Sequence, residues 1–135
     1  MQTLATTTHP ATSDMPIHQV PTQGPGKPIA QGDVTVIPEE MAERNGATIS
    51  KDANWRDCPP AGITVVGGIH PHALYGGCRW TTDVIDSTGL AVGAVNVISV
   101  TVLDHPEHGQ TILAEGLHVI RRSREMAAEI RRVAD

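Results

Sequence analysis

The sequence predicts a mainly β protein: a small barrel or sandwich with an extended N-terminal arm and a C-terminal helix. Three observations lead there. The apolar residues are aliphatic, with no Phe, one Tyr and two Trp, and a core built from Val and Ile suits the pleat of a strand better than the crowded turn of a helix. Short apolar runs are separated by Gly- and Pro-rich turns along most of the chain. Only the last segment changes to a helical period.

The chain has 135 residues, the length of one domain able to bury a core. It divides into an arm, residues 1–30, and a β-rich domain, residues 31–135, whose helix covers 123–133. Pro10, Pro16, Pro21, Pro25 and Pro28 punctuate the arm, and Asp14 and Lys27 are its only charges. Proline fixes φ, removes a donor and pushes the preceding residue toward extended geometry. Such a stretch has no apolar stripe to bury, so it takes a fixed shape only from a surface it lies against.

Asp33 to Ile37 alternates and reads as a strand closed by Pro38. Glu39 to Asn45 forms one or two helical turns, with Asn45-Gly46 as the stop. Residues 50–62, polar and carrying Pro59-Pro60, form a loop. Ile63 to Val66 is a short strand ending at Gly67-Gly68, Arg79 to Ile85 is another, and Asp86 to Gly89 is a turn. Leu90 to Leu103 exceeds an average strand, and Gly93 or Asn96 marks a bulge or turn within it. In its second half Ile98, Val100 and Val102 alternate with Ser99 and Thr101, so those three are expected to face the core. Gln110 to Leu113 and Leu117 to Arg121 are two more strands, joined at Ala114-Glu115-Gly116 by a tight hairpin. From Ser123 onward Met126, Ile130 and Val133 share one helical face, with Ser123 as N-cap.

The formal net charge of −5 argues against a general nucleic-acid binder. Arg121, Arg122, Arg124, Arg131 and Arg132 nevertheless cluster near the end, either as a solvated face or as a patch for a phosphate or an acidic partner. No apolar run approaches the ~20 residues of a membrane helix, and no basic stretch followed by an apolar core opens the chain. Cys58 and Cys78 leave three readings open: two free thiols, one bridge, or a mixed site with His70 and His72.

The seven histidines include two close pairs, His70-Pro71-His72 and His105-Pro106-Glu107-His108, both in Gly- and Pro-rich turns. Residues i and i+2 of an extended strand point the same way, so His70 and His72 can share a metal ion. His105 and His108 converge if their turn curls. Imidazole nitrogen ligates zinc and other divalent transition metals, and Asp104, Glu107 and Glu115 stand near enough in sequence to complete or orient such a site. Four histidines would close it, which suits structure more than catalysis. The H-x-H is cupin-like, but residues 73–77 lack the usual companion glutamate. There is no G-x-S-x-G, no phosphate loop and no H-E-x-x-H.

Several motifs in order resemble a family of small, functionally uncharacterised β-rich proteins of actinobacteria and their tailed phages: Gln31-Gly-Asp-Val34, Gly68-x-His70-x-His72, Asp104-His-Pro-Glu-His-Gly109, Glu115-Gly116, Arg124-Glu125 and the ending Arg131-Arg-Val-Ala-Asp135. The likeness covers roughly residues 31–37, 66–74 and 103–135. Where the family usually has an acid before its first histidine, this chain has Val66-Gly-Gly-Ile69, and the family's R-E-Y is Arg124-Glu-Met126 here. With the arm, the resemblance implies a non-enzymatic structural or assembly protein of a phage, a capsid decoration or minor virion component. It would sit in the virion or host cytoplasm and join a homo-oligomer or a capsid-type protein through residues 1–30. The alternative is a metal-binding protein or metal-dependent enzyme using His70, His72, His105 and His108.

Overall fold

A computed structural model describes residues 20–123. Strand β1 (Ile29–Gln31) turns at Gly32-Asp33 into β2 (Val34–Pro38), and α1 (Glu39–Arg44) follows directly. The short strands β3 (Ala47–Ile49), β4 (Arg56–Asp57) and β5 (Ile63–Val66) lead to the long β6 (His72–Thr81). Then come β7 (Val84–Asp86), β8 (Ala91–His105), β9 (Gly109–Ile112) and β10 (Gly116–Arg122).

All named pairings are antiparallel, and the main sheet runs β1-β2-β10-β8-β6-β4, with β5 on β6 and β9 on β8. The sheet does not close. Its terminal strands β1 and β4 have three and two residues, too little ladder to seal a barrel, so the expected barrel is an open sheet instead. β3 and β7 form a separate two-stranded ladder. The predicted helix over 123–133 falls outside the described residues except for Ser123.

The central strand explains three further departures. β8 has room for two partners end to end on one side: β10 along Ala91–Val97 and β9 along Val102–His105. Residues 113–115 therefore carry the chain along the β8 edge, and the expected hairpin between the last two strands is absent. Next, Leu103 pairs with Leu74, and Val95 with Trp80. That register turns Val95, Val97, Thr101 and Leu103 inward, while Ile98 is 59% and Val100 78% exposed. The alternation was there, but both phases are apolar, and the partner strands chose the other one. Finally, Gly76 faces Thr101 and Cys78 faces Val97, so Ile98-Ser99-Val100 bulges opposite the single Gly77. A second irregularity falls beside Gly93, near Val92.

Both faces of the β8–β10 pair are covered. On one, Val34, Val36, Leu74, Trp80, Val95, Leu103 and Ile120 form the main core. On the other, α1 and β3 bring Ala42 and Ala47 onto Ala94 and Val119. α1 is six residues long, with Glu39 and Glu40 in its first turn and Arg44 in its last, as the helix dipole favours. Burial, with Glu43 nearby, raises the Glu39 carboxyl above its ordinary value. Arg121 is not part of a free basic patch: its guanidinium grips Asp86 at 2.9 and 3.1 Å. Despite being buried, the Asp86 carboxyl is held below its usual range by hydrogen bonds from Thr88 and by Arg121. The residues just before β1 lie on the domain itself. Pro21 accepts from Ile112 N at 2.9 Å, Gln23 N donates to Ile112 O at 2.8 Å, and Thr22 pairs with Ile112 in parallel.

Candidate functional site

The four histidines meet at one end of the main core, brought there by two turns and a strand start. The two-residue turn Gly32-Asp33, with Gly32 at φ 59°, sets Asp33 at the rim. A Cβ on Gly32 would lie 2.6 Å from Cδ2 of His108, so glycine leaves room for that ring. The β8–β9 connection is a three-residue loop, Pro106-Glu107-His108, followed by Gly109 at φ 77°, a hairpin form that needs a left-handed glycine. His105 ties it down, because its Nδ1 accepts backbone N–H bonds from Glu107 and His108, both at 3.1 Å.

The rings form a chain. His72 lies 4.4 Å from His105, centroid to centroid; His105 lies 4.5 Å from His108 and 6.1 Å from His70. The two pairs meet through His105; His70 lies before β6 and is half-exposed while His72 is buried, so the two do not share one strand face as their spacing suggested. His105, His108 and His70 face an open cleft of about 650 Å³ with Asp33, Glu107 and Ser123. Among the described residues that line it there is neither Lys nor Arg, while Asp33 and Glu107 bring carboxylates to it. His70 Nε2 stands 3.7 Å from Glu107 Oε2, both half-exposed.

The hydrogen bonds show how much of this imidazole is available. Gln31 is buried, and its Nε2 faces Leu103 O at 2.8 Å, Gly109 O at 3.0 Å and Thr111 Oγ1 at 3.1 Å. Carbonyl oxygens only accept, so the amide nitrogen must be on that side and Oε1 must face His72 Nδ1, 2.9 Å away. Nδ1 of His72 therefore carries a proton. Its Nε2 lies 3.0 Å from Asp33 Oδ1, so both ring nitrogens have a partner. Burial pushes the His72 imidazolium below the ordinary histidine range; the Asp33 bond pulls the other way, and His105 and His108 push down further. His105 Nδ1 is an acceptor, which puts its proton on Nε2.

A transition metal needs unprotonated ring nitrogens. Both His72 nitrogens are already engaged, by Gln31 and Asp33, and His105 would have to give up its two backbone donors. Among the described residues no three His, Cys, Asp or Glu side chains converge on one ion position. The donors left to the cleft are His70, His108, Glu107 and Asp33. Gln31 was missed as a site residue in the sequence. Its signals were a polar side chain next to a Gly-Asp turn and its place at the head of the Gln31-Gly-Asp-Val34 motif.

The outward phase of β8 makes a second surface. Tyr75, Val102, Ile112 and Thr22 lie in register across four neighbouring segments. Val100 and Ile98 continue the strip along β8, and Tyr75 is 40% exposed.

No curated protein and no solved structure matches the chain. A family model described as a domain of unknown function, DUF8820, matches residues 30–123, and the chain belongs to that family.

Proposed function

We propose that this is a non-enzymatic binding and assembly protein, of the kind expected in a phage particle, which attaches through its outward β8 face together with its N-terminal arm. The observation that carries the reading is the apolar strip Tyr75, Ile98, Val100 and Val102, which continues through Ile112 to the arm at Thr22. Water-facing apolar side chains in one continuous strip are what an interface covers. Pro21, Thr22 and Gln23 of the arm lie beside that strip, on Ile112. The motif resemblance to phage-encoded proteins supports the particle as the setting.

Light scattering on the purified full chain and mass spectrometry of purified phage particles test it. The wild type should self-associate or be found in particles, and V100D with I98D, or removal of residues 1–19, should abolish this while the circular dichroism stays unchanged. A wild type that is monomeric and absent from particles ends the proposal.

A second reading, a site for a zinc or similar divalent ion, is favoured by the ring chain and the carboxylates of the cleft. It would use His70, His108 and Glu107, with Asp33 held by His72, and His70 and Glu107 would have to swing together. Elemental analysis of untagged protein decides it: less than about a tenth of an equivalent of metal, against the full occupancy of a structural zinc, removes this reading.

A further inference from the structure

The short strand β4 ends where a second chemistry begins. Arg56 pairs with Trp80 and Asp57 with Arg79. Continuing that antiparallel register by one residue sets Cys58 against Cys78, and Cys58 N donates to Cys78 O at 3.0 Å. Directly opposed residues in such a ladder have Cα atoms about 4.5–5.5 Å apart, within the roughly 4.4–6.8 Å that a disulfide spans. Cys78 is 5% exposed and belongs to the main core, and Cys58 packs against that core from the edge. Cys58 Sγ donates to Leu74 O at 3.4 Å and to Pro59 O at 3.6 Å, so it is held at the β6 side of its strand. Both are free here, and they are the only cysteines of the chain.

We propose that Cys58 and Cys78 are a redox pair that closes into an intramolecular cross-strand disulfide on meeting a small-molecule disulfide such as oxidised glutathione. The bond would staple β4 to β6 and enclose residues 58–78, including β5 and the His70 turn, in one covalent ring. Cys58, the more accessible partner, attacks one sulfur of the oxidant as thiolate and expels the first small thiolate. Cys78 then attacks Sγ of Cys58 in the mixed disulfide and expels the second. The protein loses two hydrogens and two electrons, and the oxidant becomes two thiols. Burial, with Cys58 nearby, pushes the Cys78 thiol up to about 12. Closure is therefore the slow step. The finished bond is also slow to open from the Cys58 side, because Cys78 is a poor leaving group.

The test oxidises the native full chain with oxidised glutathione and follows it by intact-mass spectrometry and thiol titration. The expected product is a monomer lighter by two hydrogens, its titratable thiols falling from two to none, with a melting temperature raised by roughly 10 °C. In C78S the reaction should stop at a stable glutathione adduct on Cys58, and C58S should stay unmodified over the same time. A doubly glutathionylated chain, a disulfide-linked dimer, or two thiols that persist natively but react in denaturant would each overturn the proposal.

Discussion

Gln31 sets the tautomer of His72. With its amide nitrogen facing three oxygens, its Oε1 has only the ring Nδ1 to accept from, at 2.9 Å. Gln31→Leu would strand that N–H and remove the donor from Leu103, Gly109 and Thr111. Leaving a buried polar group unsatisfied costs about 1–3 kcal/mol, so a loss of about 3–5 kcal/mol in urea unfolding is expected. Gln31→Glu, nearly identical in shape, should be as harmful, since its second oxygen would face carbonyl oxygens. A Glu variant as stable as wild type would refute the tautomer argument.

Arg121 and Asp86 form an ion pair with side-chain exposures of 11% and 3%. Arg121→Met leaves the carboxylate buried beside only its Thr88 and Ala91 donors, and breaking a buried pair costs about 3–5 kcal/mol. The pH dependence has a definite sign. The folded pKa of Asp86 is depressed, so its contribution is present above the unfolded carboxylate value of about 4 and is lost as pH falls through the folded pKa. Urea midpoints between about pH 6 and pH 3 should fall less steeply for the Met variant than for wild type.

His118 is 2% exposed, and its Nδ1 has no hydrogen-bond partner among the described residues. Burial lowers its folded pKa, so the unfolded chain takes up the proton first. Stability should be full above about pH 6.5 and should decline below it. His118→Leu removes the unpaired nitrogen and should flatten that decline while changing neutral-pH stability by no more than about 1 kcal/mol. Equal slopes for the two proteins would contradict this.

Gly93 leaves space for Trp80. A Cβ at Gly93 would collide with the Trp80 ring and lie 2.5 Å from Thr81 O. Gly93→Ala should displace the indole, shift its fluorescence to the red in a Trp55→Phe background, and cost about 1–3 kcal/mol through overpacking. An unshifted spectrum would show that the ring is not packed there.

The histidine pairs were legible because turn residues and spacing are local: His70-Pro-His72 and His105-Pro-Glu-His108 stand in Gly-bounded turns, and a long β8 antiparallel to β6 brings the turns side by side. What spacing could not convey was the state of the nitrogens. That depends on Gln31, distant in sequence, and on backbone N–H groups inside the second turn. Strand existence was readable from Val and Ile runs, but not which side of β8 faces inward. Ile98 and Val100 looked like core, and it was the Leu74–Leu103 and Trp80–Val95 pairings that buried Thr101 instead. The split of residues 79–85 at Thr82-Asp83 was likewise decided by tertiary pairing: β6 runs back to His72, and β7 leaves for β3.

The backbone bonds from Pro21 and Gln23 to Ile112 have a practical side. A chain shortened to the limits of the family match, residue 30, would strip a partner from β9 and bare its N–H and C=O groups, along with the Ala114 amide that Gln23 Oε1 now accepts from. Unpaired sheet borders recruit one another. Such a truncated molecule would clump for reasons unrelated to its native associations, so binding measurements belong on protein that keeps at least residue 20.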